Sequence, residues 1–550
     1  MSALRPSPAG SPGIARDVVL AALGTLLVYA VAHAHALTSW YVAANDVRQQ
    51  LFWMYSWRDP SLMQPDLLVD YGRNYVPWGV RAIYWLGVQT MDPLWFSKLL
   101  TGVLFMGTGV GAYLAGRKMG GRVSGLACLA VFWCMPFFLY RISGGLSRGF
   151  GPPLMVMFWA GWAWNKPRVI AAALFLQAVC IPYIFMVCAL AAGMAWAGSL
   201  VRLAPRPAFP SRIWHFAVLA LSAALVLLLS ASFDRAGFGP LATQQDMAGQ
   251  AEFGPDGRYP IVNAPSLAYE LVATPFERIA PFHENKVALG VALLLALIAA
   301  CALGLRRADR RQALLAHAQP ALWIWAASLL LYAAAEVLLF RLFVPARYVT
   351  YTVNVSLCLA MGFALSGLFA GGRMNRGLAA LLLAVAALLG GMRAAGTGVD
   401  DYTNEAFLFQ AVRERVAPDE MVAGNPYRMD NVLTFGRRRV FASYELAHPW
   451  SLGLWEILGP RLDHFFTAYY SDDPAEVLAF CRDNDIDWLL VARDDFSPEF
   501  IAQGVFFAPY ADQVRALARG RSHFGALDLV GPQYAAGDHV WLVPVRRVGP

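Results

Sequence analysis

The sequence predicts a polytopic α-helical membrane protein with about eleven transmembrane helices, interfacial helices in its first outer loop and a small carboxyl-terminal α/β domain. Three observations carry this. Of 550 residues, 58% are hydrophobic and only 15% charged, with a mean hydropathy of +0.46, which excludes an ordinary soluble enzyme. The apolar runs approach the roughly 20 residues that one bilayer crossing needs. Clusters of Lys and Arg fall on every second loop, which marks that side as cytoplasmic. The net charge of +7 comes mostly from those loops, so it reports topology, and no nucleic-acid partner is expected.

Residues Met1–Asp17 form a Pro-, Ser- and Gly-rich tail with Arg5 and Arg16, expected in the cytoplasm. The first span is Val18–Ala36, retained because no clear cleavage site follows it. It opens the membrane domain, residues 18–392, whose large outer loops are 37–93 and 233–286. In the first loop, Asp46–Trp57 and Pro77–Met91 mix aromatics with a few charges and read as helices lying in the membrane interface. Spans at Leu94–Ala115 and Val123–Leu139 flank the basic turn from Arg117 to Arg122. A short span, Leu154–Trp164, returns to Lys166 and Arg168.

Val169–Leu200 has basic flanks and Pro182 at its middle, so it reads as a hairpin of two short helices turning near Ile181-Pro182-Tyr183. Further spans are Phe216–Ser232, Val287–Leu305, Pro320–Phe340, Val349–Ala370 and Leu378–Met392, with basic turns at Arg306–Arg311 and 371–376. The parity puts residues 393–550 outside. There Glu405–Val416 and Pro474–Asn484 have helical periodicity, while Trp488–Ala492 and His539–Pro544 look like buried strands. The seven cysteines show no disulfide framework or metal-ligand spacing and read as packing thiols. No internal repeat is evident.

Polar chemistry concentrates where the first span emerges. Asp46 is a carboxylate among interfacial aromatics, placed to take a proton from an acceptor hydroxyl or amine. The competing reading is an N-cap, for which Asn45-Asp46 is a good pair. Arg48, Arg141, Arg148 and Arg347 face the same side by topology, and a guanidinium fork suits a phosphate. Gly144, Gly145 and Gly149 would let backbone amides approach the same anion. The competing reading for these arginines is snorkelling to lipid headgroups or pairing with neighbouring acids. Glu336 lies within an apolar run, where an ionisable group needs a partner or an aqueous cavity, and Arg341 is just over one helical turn away. That pair is read as either a site or a structural ion pair. In the terminal block, Tyr444–Trp450 is the most polar-aromatic segment, suited to stacking on sugar or to ordinary packing.

Asn45-Asp46-Val47-Arg48-Gln49-Gln50, the turn with Arg141 and Arg148, and Val344-Pro345-Ala346-Arg347-Tyr348 together resemble the GT-C superfamily of integral-membrane glycosyltransferases. Its members include protein O-mannosyltransferases, aminoarabinose transferases of lipid A and oligosaccharyltransferases. The resemblance covers about residues 15–395 as an architecture. It implies a polyprenyl-phosphate or polyprenyl-diphosphate sugar donor and an acid in the first outer loop that acts as base or organises the site. Asp46 matches that acid, and Arg347 matches a basic residue that contacts the donor phosphate in relatives. Asn45 departs from the pattern, standing where relatives often carry a second acid, and Asp59, Asp70 and Asp234 are the remaining candidates for one. No cofactor is required by these residues, and a divalent cation is left open.

The expected activity is transfer of a sugar from the lipid-linked donor to a glycan, lipid or protein acceptor, with inversion, at the outer face of a bacterial-type inner membrane. Two other classes keep the architecture without a base: a transporter or flippase for a polar lipid, and a non-catalytic envelope-assembly protein. Donor-dependent release of polyprenyl phosphate separates the transferase from both.

Overall fold

The computed structural model describes residues 12–203, 205–260, 266–273, 287–369, 376–504 and 506–546. The expected tail before Pro12, the basic turn at 371–375 and parts of the second outer loop lie outside the described residues. Among the described residues, six helices are long and apolar enough to cross a membrane, and three shorter apolar helices accompany them. Leu and Val side chains on their outer surfaces are exposed, as at Leu23, Leu27, Leu221 and Leu227, and suit contact with lipid. The chain is a multi-pass membrane protein.

Helix α1 runs over Pro12–Ala32. Two short helices follow before the next long one, α2 (Leu67–Tyr75) and α3 (Trp78–Val88). Asp66 caps α2 by accepting from the Val69 amide at 2.8 Å. The next element, α4 (Pro93–Trp133), holds the two expected spans as two helical arms that meet at Gly120 and Gly121, where the backbone is not helical. Gly121 takes φ +79°, so the chain reverses there in a tight turn and the arms pack together, Gly125 against Tyr113 and Gly116 against Cys128. Both arms are tied to α1, since Asp17 accepts from Arg117 at 2.9 Å, Arg122 at 2.7 Å and Tyr113 at 2.9 Å.

Helices α5 (Gly151–Ala163), α6 (Pro167–Cys180) and α7 (Pro182–Leu200) each carry proline in the first turn, where no intrahelical amide bond is lost. The chain breaks between α6 and α7 at Ile181, beside Pro182. The remaining membrane helices are α8 (Ile213–Arg235), α9 (Val287–Gly304), α10 (Ala308–Leu338), α11 (Ala346–Ser366) and α12 (Arg376–Arg393).

The carboxyl-terminal domain begins at a two-stranded antiparallel ladder. Strand β1 (Val42–Ala43), just after α1, pairs with β2 (Asp400–Asp401), just after α12, with Val42 opposite Asp401. Beyond it lies α13 (Ala406–Arg415) and a five-stranded sheet built from β3 (Met421–Ala423), β4 (Arg439–Val440), β5 (Trp488–Ala492), β6 (Ala535–Gly537) and β7 (Val540–Pro544). Its order is β4-β3-β5-β7-β6. Strand β3 pairs in parallel with β4 and β5, while β7 pairs antiparallel with β5 and β6, in the register Leu490 to Leu542. All five residues of β5 are buried, so its side chains form a core on both faces. Helices α14 (Leu452–Tyr469) and α15 (Pro474–Asp483) complete this core.

The aromatic segment after Asp46 departs from the expected interfacial helix. Phe52, Trp53, Met54 and Tyr55 are fully buried, and the Arg437 guanidinium of the terminal domain lies 4.3 Å from the Tyr55 ring while binding Asp92 at 2.8 Å. The segment is a filler between membrane bundle and terminal domain, which a local reading of its composition could not distinguish from a membrane-surface helix.

The ties to Asp17 bear a measurable load. Asp17→Ala strands the partly buried Arg117 and should lower stability by about 2 kcal/mol, at the low end for a broken pair because Arg122 is half exposed. Thermal unfolding in detergent measures it, and Asp17→Asn, which still accepts from Tyr113, should lose less.

Candidate active site at the junction of loop, bundle and terminal domain

Asp46 precedes a single helical turn, Val47–Gln50, but its side chain makes no capping hydrogen bond. The carboxylate instead meets Arg148, with Oδ2 2.7 Å from Nε and both side chains mostly buried. Arg148 sits on the tight turn Ser147–Phe150, entered through Gly144 and Gly145 at φ +90° and +60°. These are left-handed conformations that favour glycine, and a Cβ on Gly145 would come within 2.9 Å of the Ser97 carbonyl oxygen. The turn is fastened on three sides. Tyr84 on α3 donates to the Gly144 carbonyl at 2.8 Å, Ser147 donates to the Cys180 carbonyl at 2.7 Å, and Tyr351 on α11 donates to the Arg148 carbonyl at 3.2 Å.

Arg347 begins the same helix one turn before Tyr351. Its guanidinium lies 5.6 Å from the Tyr183 ring, whose hydroxyl is 3.3 Å from that of Tyr351. Arg347 is solvent-exposed, yet the groups within its electrostatic reach are Tyr183, Tyr75, Tyr351 and Asp46. It therefore opens onto a recess between segments rather than onto the outer surface. Arg141 and Arg148 both lie over the Tyr140 ring, at 5.7 Å and 5.3 Å. Arg141 has no carboxylate partner among the described residues, and its buried Nε lacks a hydrogen bond. Arg141, Arg148, Arg347 and Asp46 thus gather three cations around one anion.

Arg48 faces elsewhere. It binds the Asn45 side chain, and its guanidinium lies 3.2 Å from Glu445, 3.6 Å from Asp430 and 3.2 Å from the Asn431 oxygen, all but Asn45 in the terminal domain. Gln49 donates to the Glu445 carbonyl at 2.9 Å and to His448 Nε2 at 2.7 Å, which leaves His448 Nδ1 to carry the proton and donate to the Tyr71 oxygen at 2.7 Å. Burial, with Arg258 and Arg347 nearby, holds His448 well below the ordinary histidine range and keeps it neutral. Tyr75 packs 5.3 Å from His448 and senses Arg347, Asp46, Arg258 and Glu445, so the terminal domain walls the same recess. Burial raises the Tyr75 phenol, which has no hydrogen-bond partner among the described residues.

The segment Tyr444–Trp450 is packed on both sides. Trp450 stacks 4.4 Å from His448 and 4.9 Å from Phe340, and Tyr444 lies 4.1 Å from the Arg258 guanidinium and 4.2 Å from the Tyr427 ring. Glu336 faces the Tyr332 hydroxyl, whereas exposed Arg341 donates to the Leu241 carbonyl at 3.4 Å, so no ion pair joins them. Asp59 is held by Ser61, and Asp70 pairs with Arg73 at 3.5 Å; neither contacts Asp46 or Arg148. Among the described residues no group of three His, Cys, Asp or Glu could hold a metal. The groups around Asp46 are guanidiniums and phenols, a donor set that does not fit a divalent cation, which takes oxygen anions and carbonyls.

Tyr75, Tyr183 and Tyr351 escaped the sequence reading as site residues, and Glu445 and His448 entered it only as members of the polar-aromatic segment Tyr444–Trp450. All five are placed by contacts with distant segments.

Asp430 is fully buried, and burial together with Glu445 pushes it up to about 7. Below that value the folded protein keeps a proton that the unfolded chain has lost. Its stabilising contribution is complete under acid conditions and is lost as pH rises through about 7. Asp430→Asn should therefore flatten the pH dependence of thermal unfolding between roughly pH 4 and 7. An unchanged slope would place the titration elsewhere.

No protein-family model matches the chain, and no curated protein sequence does. Solved structures do. The oligosaccharyltransferase of Archaeoglobus fulgidus, crystallised in complex with Zn and sulfate, superposes with a TM-score of 0.51 at 13% identity, over 90% of this chain and 70% of its own. The same archaeal enzyme, AglB, in complex with an inhibitory peptide and a dolichol-phosphate, gives 0.47 at 12% identity, over 91% and 72%. ArnT from Cupriavidus metallidurans bound to undecaprenyl phosphate gives 0.41 at 11% identity, over 90% and 95%. At such identities the likeness is one of fold. This chain shares its fold with the archaeal oligosaccharyltransferase.

Proposed function

We propose that this protein transfers a sugar from a polyprenyl-phosphate-linked donor to an acceptor at the outer face of a bacterial-type inner membrane, with Asp46 as base. The supporting observation is the gathering of Arg141, Arg148 and Arg347 around the single carboxylate of Asp46. In this reading the chain crosses the membrane about eleven times, with the amino terminus in the cytoplasm and the terminal domain in the periplasm. The turns bearing Arg117, Lys118 and Arg122 and Arg306 to Arg311 face the cytoplasm.

The chemistry is an inverting displacement. The acceptor hydroxyl or amine, losing its proton to Asp46, attacks the anomeric carbon as the bond from that carbon to the phosphate oxygen breaks. The electron pair leaves on the phosphate, and polyprenyl phosphate departs. Charge accumulates on that phosphate in the transition state, where preplaced guanidiniums in a recess stabilise it more than water would. No step is assigned to a metal, because the side chains present do not fit one. A glycan, a lipid or a protein remains open as acceptor, with no residue in the recess selecting one.

Asp46→Asn should fold normally and lose transfer by about 10²- to 10⁴-fold, the usual range for a general base. Release of polyprenyl phosphate from a polyprenyl-phosphate sugar, with a membrane extract as acceptor source, measures it. Wild-type turnover would remove Asp46 from the mechanism, and transport of the lipid without release would favour a flippase. Arg347→Gln should raise the donor KM by about tenfold or more, since a hydrogen bond to a charged group contributes ~1.5–3 kcal/mol.

A further inference from the structure

We infer that Asp46 and the donor phosphate compete for Arg148, so that the ion pair seen here is the resting state and donor binding releases the base. The inference rests on the reading of Asp46 as base and the arginines as phosphate ligands, and goes beyond it by ordering the two events.

Three observations carry it. The contact between Arg148 Nε and Asp46 Oδ2 is short, at 2.7 Å, but the Nε hydrogen is not aligned on that oxygen and makes no hydrogen bond. The attraction is therefore one of charge, without the directed fork that guanidinium forms with carboxylate or phosphate. The terminal nitrogens of Arg148 bind no acceptor among the described residues, so the fork itself is open. The turn beneath is fixed by Tyr84, Ser147 and Tyr351, so exchange requires only rotation of the arginine side chain over Tyr140. While Asp46 Oδ2 faces Arg148 at 2.7 Å that oxygen is turned away from an acceptor, and a phosphate that takes the fork frees it. The order follows: donor first, acceptor second.

The test is a double-mutant cycle on binding of undecaprenyl phosphate to the purified full-length protein in detergent, read by tryptophan fluorescence. Asp46→Asn should bind the lipid roughly tenfold tighter than wild type, equivalent to about 1.4 kcal/mol, while losing turnover. In an Arg148→Gln background the same substitution should change affinity less than about twofold. Equal tightening in both backgrounds would mean general repulsion between two anions and would overturn the exchange. Unchanged or weaker binding by Asp46→Asn would overturn it as well. If Arg148→Gln does not fold, Arg148→Met, which removes the charge but keeps much of the side-chain length, replaces it with the same criterion. Turnover separates the two claims: an active Asp46→Asn removes the base, whereas an inactive one that binds no tighter removes only the exchange.

Discussion

One guanidinium, that of Arg48, joins the segment leaving the first membrane helix to the carboxyl-terminal domain, and the geometry of the recess depends on it. Its partners Asn45, Asn431, Asp430 and Glu445 take it almost wholly out of water. A charge so placed must keep its partners, because losing one leaves an uncompensated ion in a low-dielectric setting. Arg48 and Gln49 are the second and third residues after Asp46 in chain order, and both are held by the far domain. The backbone that presents Asp46 is thus set from above by residues four hundred positions away in the sequence, on the order of the whole membrane domain.

Charge is distributed unevenly between the two halves of this junction. Around Arg48, cations and anions alternate: Arg258 also approaches Glu445, at 3.9 Å, and Arg428 is shared between Glu405 and Asp495. Burial pushes Asp495 up to about 6 and Asp430 up to about 7, so this half is close to neutral in sum. In the recess, three guanidiniums meet one carboxylate. The surplus is exposed to the space where a phosphate is proposed, and the balanced half supplies the rigidity to hold it there. Such division is what a preorganised anion site requires, since groups that need not move lose little on binding.

Apolar length carried the multi-pass helical class and the positions of most long helices, because a bilayer imposes its thickness on each span separately. The same held for β5 and α15, whose patterns are local. What the pattern concealed was set by distance. Asn45 looks like a lost acid and is a ligand of Arg48. Arg48 shared its outer face and its chemistry with Arg148, and nothing nearby in the sequence distinguished a guanidinium bound to the terminal domain from one facing the recess.

The ladder between Val42 and Asp401 has a bearing on how the molecule comes to exist. Two strands that flank all the later membrane helices cannot zip until the last of those helices has been threaded, so the early segment waits without its partner through most of synthesis. The recess is then among the last features of the molecule to form, and a truncated or stalled chain carries the aspartate without it.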